Sequence, residues 1–277
     1  AGDHIVVLRP NYATNIETPR AIVCDVTHVD LRFEEAYRLD LDRVAAAIRP
    51  ETKLLSVTYP HNPTGVTISP AEMRALVDLA EARGLRLLFD ETYREMSFGP
   101  MLPVAAGLSD RVISVSSLSK TYGIPGIRIG WLVTRDAALM ETLLAAREQI
   151  GISGSTVDEY IAYVALEQRA AWLPFNQARI AGAFAIVRDW IAREPLVEWV
   201  EPAGGCVCFP RIRPEVDVDT ARFHERLYRT HGAYVGRGRW FEQDDRHFRL
   251  GYAWPDETEL RGGLAAISAA IRDSIRS

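Results

Sequence analysis

Cysteine is scarce in this sequence: the 277 residues include three, Cys24, Cys206 and Cys208, and a single residue separates the last two. This number and spacing do not suggest a framework of disulfide bonds. The thiols are therefore expected to be reduced, as they are in the cytoplasm. The six histidines do not cluster with the cysteines, so no metal site is predicted.

Long apolar or basic runs are also absent. The sequence has no apolar stretch long enough for a transmembrane helix, and its first residues do not have the pattern of a signal peptide. The formal net charge is -5, and positive charge is not concentrated in any one segment. These features argue against a nucleic-acid or membrane partner and predict a cytoplasmic protein.

Short apolar runs alternate with helical patterns along the chain, which predicts an α/β fold. The predicted strands are residues 5–8, 22–26, 54–58, 85–89, 112–116 and 129–133. Several are apolar at consecutive positions, as is typical of parallel strands with helices on both faces, so a three-layer, mostly parallel sheet is expected. Between two of them, Ser69-Pro70-Ala71-Glu72 has the pattern of a capping box and predicts a helix that ends before Gly84.

The character of the chain changes around Trp172-Leu173-Pro174, which suggests two domains. Residues 1–172 are predicted to form a large domain with further helices at 139–149 and 157–168, and residues 173–277 a smaller α/β domain. The elements predicted in the smaller domain are helices at 175–193, 220–231 and 257–275 and strands at 233–235 and 247–252.

Lys120 has an unusual setting for a lysine. It follows an apolar run and the small hydroxyl residues Ser117 and Ser119, as at the mouth of a strand. Most lysines are solvated surface charges, but a lysine in this position is suited to carbonyl chemistry as a Schiff-base amine. Ser117, Ser119 and Arg128 supply the donors that a phosphate group needs, and arginine can donate two hydrogen bonds to it.

Other polar residues are placed for the same site. Asn62, in Asn62-Pro63-Thr64-Gly65, and Asp90 each follow an apolar, strand-like run; Tyr93 lies three residues beyond Asp90, and Tyr12 lies near the start. In open α/β sheets, ligands bind beyond the carboxyl ends of the strands, where such residues fall. Taken singly, these features have plainer explanations: a turn, a helix cap and a core aromatic. Together with Lys120 they predict one site.

This ordered set of motifs resembles the class I/II (fold type I) aminotransferases, which depend on pyridoxal 5'-phosphate. The resemblance covers essentially the whole chain. The motifs that carry it, in order, are Gly2-Asp3 with Pro10-x-Tyr12, Asn62-Pro63-Thr64-Gly65, Asp90-x-x-Tyr93, Ser117-x-Ser119-Lys120, Gly126-x-Arg128-x-Gly130-Trp131 and Phe248-Arg249-Leu250.

The resemblance implies a role for each residue near the cofactor. Lys120 forms the Schiff base with pyridoxal 5'-phosphate and moves the substrate proton. Asp90 pairs with the pyridine nitrogen and keeps it protonated, so that the ring withdraws electrons. Asn62 and Tyr93 hydrogen-bond the phenolic oxygen of the cofactor, and Tyr12 stacks on its ring. The expected catalytic residues are therefore Lys120, Asp90 and Tyr93.

The resemblance also implies how the phosphate and the substrate bind. Ser117, Ser119 and Arg128 bind the cofactor phosphate. Arg249 takes the substrate carboxylate as a bidentate partner, and Asn62 also contacts substrate. An ordinary surface charge is the alternative reading of Arg249, which lies in a strand-like run.

The sequence departs from the family pattern in three places. Family members carry a further segment before a start such as Gly2-Asp3, so a fragment is one expectation. Arg237 stands where a proline is common, and either faces the substrate or lies on the surface. Residues 151–155 have no arginine where members specific for dicarboxylates are expected to carry one, which argues against an aspartate or glutamate specialist.

Three classes of function are compatible with these motifs. The leading class is a transaminase that moves an amino group from an amino acid to a 2-oxo acid; for it, the resemblance implies a homodimer with the active site at the subunit boundary. The second is another reaction of the same cofactor, such as elimination, cyclisation or oxidation, because all of them start at the substrate α-carbon. The third is an effector-binding domain of a regulator, which the retained lysine and the absence of a basic helix-turn-helix pattern disfavour.

Overall fold

The computed structural model describes residues 2–276, within which eleven strands and eight α-helices are defined. The strands are β1 (His4–Arg9), β2 (Asp25–Asp30), β3 (Thr52–Thr58), β4 (Arg86–Asp90), β5 (Val112–Ser117), β6 (Gly130–Thr134), β7 (Val197–Glu198), β8 (Val207–Cys208), β9 (Arg211–Ile212), β10 (Gly236–Arg237) and β11 (Phe248–Gly251). The helices are α1 (Ala13–Ala21), α2 (Leu41–Ala47), α3 (Pro70–Ala82), α4 (Ala137–Gly151), α5 (Thr156–Glu167), α6 (Arg169–Arg193), α7 (Thr220–Arg229) and α8 (Glu257–Arg272).

A six-stranded sheet forms the centre of the fold, in the order β2-β1-β3-β4-β5-β6. The first five strands are parallel, and β6 runs antiparallel to β5. Val6, Val7 and Leu8 are successive in β1 and all fully buried, so both faces of this strand are covered. Parallel sheets depend on such two-sided cover. The predicted α/β fold with a mostly parallel sheet is confirmed.

Helix α3 begins and ends where the sequence predicts. The Ser69 hydroxyl accepts a hydrogen bond from the Glu72 backbone N–H at 3.1 Å, and the Ser69 N–H donates to the Glu72 carboxylate at 2.7 Å. Pro70 occupies the first helical position, where its missing N–H removes no helix hydrogen bond. Gly84 follows the helix with φ of +67°, a conformation that glycine adopts without strain.

The C-terminal part of the chain has its own smaller sheets. One has the order β10-β11-β8 with antiparallel pairing, and the other pairs β7 with β9. Helices α7 and α8 pack with them around a core that includes Phe223, Phe248 and Ile267. Tyr93 and Met96, which precede the predicted boundary, also belong to this core. The division at residue 172 therefore stays a prediction.

Some element boundaries differ from the sequence predictions. Strand β2 begins at Asp25, because Asp25 pairs with His4 in the parallel register. Ile22 and Val23, predicted to start that strand, instead lie exposed in the turn after α1. The strand predicted at 233–235 is also wrong: β10 comprises the next two residues, which pair with β11.

Helix α6 starts earlier than predicted and runs through the expected boundary at Trp172 to Pro174. Pro174 lies inside this helix, which begins at Arg169. Its missing N–H removes one backbone hydrogen bond of the helix, which nevertheless continues to Arg193. Among residues 2–276, no helix has both the length and the apolar composition that crossing a membrane would need.

The packing of α3 against the sheet gives a test of the core. Met73 in α3 is fully buried, whereas Met101, in the connection after β4, is 51% exposed. We expect Met73→Ala to lower the free energy of unfolding by about 2–5 kcal/mol, because it removes buried apolar surface and leaves a cavity. Met101→Ala is the matched control and should change it by less than about 0.5 kcal/mol. Urea denaturation of both variants measures this, and equal effects would contradict the packing described here.

Candidate active site

The parallel strands bring chemically different side chains to one edge of the sheet. Asp90 is the last residue of β4, and Tyr12, Asn62 and Lys120 follow the carboxyl ends of β1, β3 and β5 respectively. These ends open into a cavity of about 420 Å³, within the usual range for small-molecule sites. The predicted site residues that line it are Tyr12, Asn62, Asp90, Tyr93, Ser119, Lys120 and Arg249.

Asp90 is the last residue of β4 and faces the cavity with its charge unbalanced. Its carboxylate accepts a hydrogen bond from the Thr92 backbone N–H at 3.0 Å. No Lys, Arg or His of the described residues forms an ion pair with it. Burial raises the pKa of Asp90 above its ordinary value. A positively charged partner in the cavity would therefore stabilise the ionised form of this carboxylate.

Tyr93 supplies a buried hydroxyl at the same cavity. Its ring packs beside Gly205, which has φ of +87° and where an added Cβ would lie 3.7 Å from the ring. Burial raises the pKa of Tyr93 well above its ordinary value, so the phenol stays protonated and able to donate a hydrogen bond. Cys206 lines the cavity next to it, and burial raises the pKa of that thiol too.

Lys120 lies exposed to the cavity in the turn that follows β5. The Gly123 N–H donates to the Lys120 carbonyl at 3.0 Å, and Gly123 has φ of +70°. The Asn176 side chain of α6 donates to the Thr121 carbonyl at 2.9 Å. These contacts fix the turn of the lysine to α6, and the lysine itself lines the cavity.

Arg249 reaches the cavity from β11, in the C-terminal part of the chain. Its guanidinium donates to the Asn62 side-chain oxygen at 3.2 Å. The guanidinium carbon lies 4.9 Å from the ring centre of Phe241 and 5.9 Å from that of Tyr12. The two halves of the chain thus meet at this site, and an arginine and an asparagine converge where a carboxylate could bind.

Ser117 and Arg128, predicted to bind phosphate, do not line the cavity. The Ser117 hydroxyl accepts from the Ser119 N–H at 3.3 Å. The Arg128 side chain is exposed and donates to the Pro125 carbonyl at 2.8 Å, within its own loop. The backbone of Arg128 is left-handed, with φ of 53°. The phosphate roles of both residues stay predictions.

The position of Arg237 settles one open alternative. In the antiparallel register, Arg237 lies opposite Phe248, and Gly236 lies opposite Arg249. Paired residues share a face of the sheet, and neighbours along a strand lie on opposite faces. Arg237 therefore projects from the other face of the sheet than Arg249 and does not face the cavity.

Several residues of the cavity were not predicted from the sequence. Thr92, Asn176, Arg179, Cys206 and Trp254 all line it. The spacing Asp90-x-Thr92 is that of an aspartate bonding the backbone two residues on, so Thr92 could have been found. The others come from α6 and from the C-terminal sheet region. Only the folded structure brings them beside Lys120.

The side chains of the cavity fit pyridoxal 5'-phosphate, the cofactor that the sequence motifs imply. An unpaired, partly buried carboxylate, Asp90, suits a protonated pyridine nitrogen, and the amine of Lys120 suits the cofactor aldehyde. The protonated phenol of Tyr93 suits the phenolic oxygen, and the exposed ring of Tyr12 offers a stacking face.

Comparisons with known proteins agree with this assignment. The family profile described as "Aminotransferase class I and II" matches residues 1–267. Capreomycidine synthase of Streptomyces vinaceus is 34% identical over 271 residues, which are 97% of this chain and 68% of that protein. The chain therefore spans about two thirds of the length of this relative.

Two solved structures are similar over almost the whole chain. A PLP-dependent aminotransferase from Streptococcus suis 89-1591 is 32% identical with a TM-score of 0.91, covering 100% of this chain and 72% of that one. The PLP-dependent cyclase OrfR is 31% identical with a TM-score of 0.85, and the match covers 98% of this chain and 72% of the cyclase chain. The similarity confirms the predicted fold type I architecture and dependence on pyridoxal 5'-phosphate. The chain belongs to the class I and II aminotransferase family.

Proposed function

We propose that this protein is an aminotransferase that moves the amino group of an amino acid to a 2-oxo acid. The observation that carries the proposal is the single cavity that combines the Lys120 amine, the unpaired Asp90 carboxylate and the Arg249 guanidinium. These three groups could respectively hold an aldehyde, a protonated ring nitrogen and a substrate carboxylate. No other described group of side chains offers this combination in one cavity.

The chain supplies binding groups and a proton carrier to this reaction. When bound, the cofactor supplies an electron sink that stabilises negative charge at the substrate α-carbon. Asp90 stabilises positive charge on the ring nitrogen, and Asn62 and Tyr93 hold the phenolic oxygen. Lys120 anchors the aldehyde and then, as a free amine, takes the proton from the substrate α-carbon. Ser117, Ser119 and Arg128 are proposed to bind the phosphate.

The substrate is oriented by Arg249 and Asn62. Arg249 offers two parallel N–H donors to the α-carboxylate, which fixes the plane of the carboxyl group. Asn62 accepts one hydrogen bond from the guanidinium at 3.2 Å and thereby holds it toward the cavity. Positioning of this kind lowers the entropic part of the barrier to proton transfer.

A second reaction of the same cofactor is the alternative. The matches to a capreomycidine synthase and to a PLP-dependent cyclase favour it, at 34% and 31% identity. Cyclisation or elimination also begins with removal of the α-proton, so Lys120 and Asp90 would serve both reactions. The reactions differ in what happens afterwards to the substrate side chain, which these residues do not touch.

The products separate the two functions. Purified protein loaded with pyridoxal 5'-phosphate is mixed with each common amino acid in turn, and the released acids and the extracted cofactor are identified by chromatography. Transamination leaves pyridoxamine 5'-phosphate and one 2-oxo acid per amino group taken up. Cyclisation or elimination leaves the aldehyde form of the cofactor.

Lys120→Ala tests the proposed catalytic lysine in this experiment. Lys53→Ala, which changes an exposed lysine on β3, is the matched control. We expect Lys120→Ala to lose the product and Lys53→Ala to keep it. In the wild-type protein, borohydride reduction should attach the cofactor to the peptide that contains Lys120. A label on another lysine, or unchanged turnover in Lys120→Ala, would disprove the assignment.

Asp90→Asn should raise the thermal stability of the cofactor-free protein at neutral pH while it slows the reaction. Because burial raises the pKa of Asp90, this group contributes stability at pH values below the ordinary carboxyl pKa and loses that contribution as the pH rises through the raised pKa. The cofactor-free variant should therefore have a higher Tm than wild type at pH 7. The difference should shrink as the pH is lowered toward 4.

The same substitution should slow the reaction. Without the carboxylate, positive charge on the ring nitrogen loses its partner, and exchange of the substrate α-proton should fall by about 10³-fold. Deuterium exchange followed by NMR measures this rate. The asparagine can still accept the Thr92 hydrogen bond, so the turn is retained. Near-normal exchange, or a lower Tm at pH 7, would contradict the role given to Asp90.

We also propose that the protein works as a homodimer. Helix α4 has no buried residue, and Tyr160 and Tyr163 of α5 are 67% and 59% exposed, which supports an interface on these helices. Tyr160→Glu should shift the protein toward monomer in sedimentation at micromolar concentration. Tyr228→Glu, at a tyrosine on α7 that is 66% exposed, is the control and should not. A wild-type monomer with full turnover would refute the dimer.

A further inference from the structure

The guanidinium of Arg249 is held by neutral groups. Within residues 2–276, no Asp or Glu lies within ion-pair distance of it. Its described partners are the Asn62 side-chain oxygen and the rings of Phe241 and Tyr12, of which Phe241 is nearer, at 4.9 Å. An acidic neighbour would hold the arginine equally well but would neutralise it. Neutral partners leave its full charge available to an anion.

The backbone opposite Arg249 leaves room for this arrangement. Gly236 is the cross-strand partner of Arg249 in the β10–β11 pair. A Cβ added to Gly236 would lie 3.3 Å from the Arg249 Cβ and 3.3 Å from a ring carbon of Phe241. Both contacts are tighter than ordinary van der Waals separation. Glycine at this position therefore allows the arginine and the ring to approach each other.

The ring of Phe241 is held in place by its own packing. It is 3% exposed, and its ring meets the ring of Phe209 edge to face at 5.4 Å. It ends a short 3-10 helix, Gly238–Phe241, whose first residue is packed so tightly that an added Cβ would lie 1.9 Å from the Asp244 carbonyl oxygen. The ring is thus anchored before Arg249 packs on it.

We propose that Phe241 is a positioning residue for Arg249, with Gly236 providing the space for their contact. The inference rests on the proposed role of Arg249 as the group that binds the substrate carboxylate. A ring face under a guanidinium attracts its charge and limits its tilt while leaving its N–H donors free at the edge. Phe241 therefore contributes to selection of amino acids over amines without touching the substrate.

The expected effect is on carboxylate recognition alone. Phe241→Leu keeps an apolar side chain and removes the ring face, so the guanidinium is held less firmly. Preference for an amino acid over the amine without its carboxylate should fall about tenfold, an effect of the size of a partly desolvated cation–π contact. Gly236→Ala should reduce the same preference, because its methyl group displaces the arginine or the ring.

The experiment compares dissociation constants for two pairs of probes with short and long side chains: L-alanine with ethylamine, and L-arginine with agmatine. Binding to the cofactor-loaded protein is followed by the change in cofactor absorbance and, independently, by the ligand-induced rise in Tm. Phe223→Leu is the matched control, because this ring is also fully buried and packs on Phe248, whose side chain lies on the opposite face of β11 from Arg249. It should lower the Tm and keep the wild-type preference.

Each outcome decides the inference. A lost preference in Phe241→Leu and Gly236→Ala, with the preference retained in Phe223→Leu, supports it. Wild-type preference in the first two variants, or equal loss in all three, overturns it. A wild-type protein that converts its cofactor with amino acids yet binds the amines equally well overturns this inference and leaves the proposed transamination standing. Absence of any cofactor conversion with all common amino acids instead refutes the transamination.

Discussion

The hydrogen-bonded register of the parallel sheet is the constraint on which the site depends. Because β1, β3, β4 and β5 run in one direction, their carboxyl ends lie along one edge, and the residues that follow them are neighbours in space. Asp90 and Lys120 are thirty residues apart in the sequence and yet line one cavity. A slip of one residue would move every side chain of a strand to the other face of the sheet and would displace the residues at its carboxyl end from the cavity.

A second constraint brings the C-terminal part of the chain against this edge. Gly65, in the turn after Asn62, has φ of +74°, and a Cβ there would lie 2.6 Å from the Pro202 side chain. The Gly65 carbonyl accepts hydrogen bonds from the N–H groups of Ala203 and Gly204 at 2.8 and 3.1 Å. This close backbone approach carries the following segment, with Cys206, to Tyr93. The turn that contains Gly65 therefore positions Asn62 and also holds the segment around Cys206 against the site.

The site keeps charges that the surrounding protein does not neutralise. Asp90 lacks a cationic partner, and Arg249 lacks an anionic one, in the part of the chain that the structure describes. Burying an unpaired charge lowers stability, and the raised pKa of Asp90 reflects that cost. The well-packed core around β4 and α3 offsets it. The same unpaired charges are what allow the cavity to attract a protonated ring and a carboxylate.

The sequence by itself determined the fold class and helix α3 with its capping box, and it pointed to seven of the residues that line the cavity, because these features depend on local patterns and on the general rule for strand ends. It did not determine the start of β2 or the position of β10, since pairing with a neighbouring strand decides which residues are extended. It also could not show that Asn176 contacts the turn of Lys120, that Cys206 lines the cavity or that Phe241 packs under Arg249, nor that Ser117 and Arg128 do not line the cavity. Those facts arise from contacts between segments far apart in the chain, which only the tertiary packing brings together.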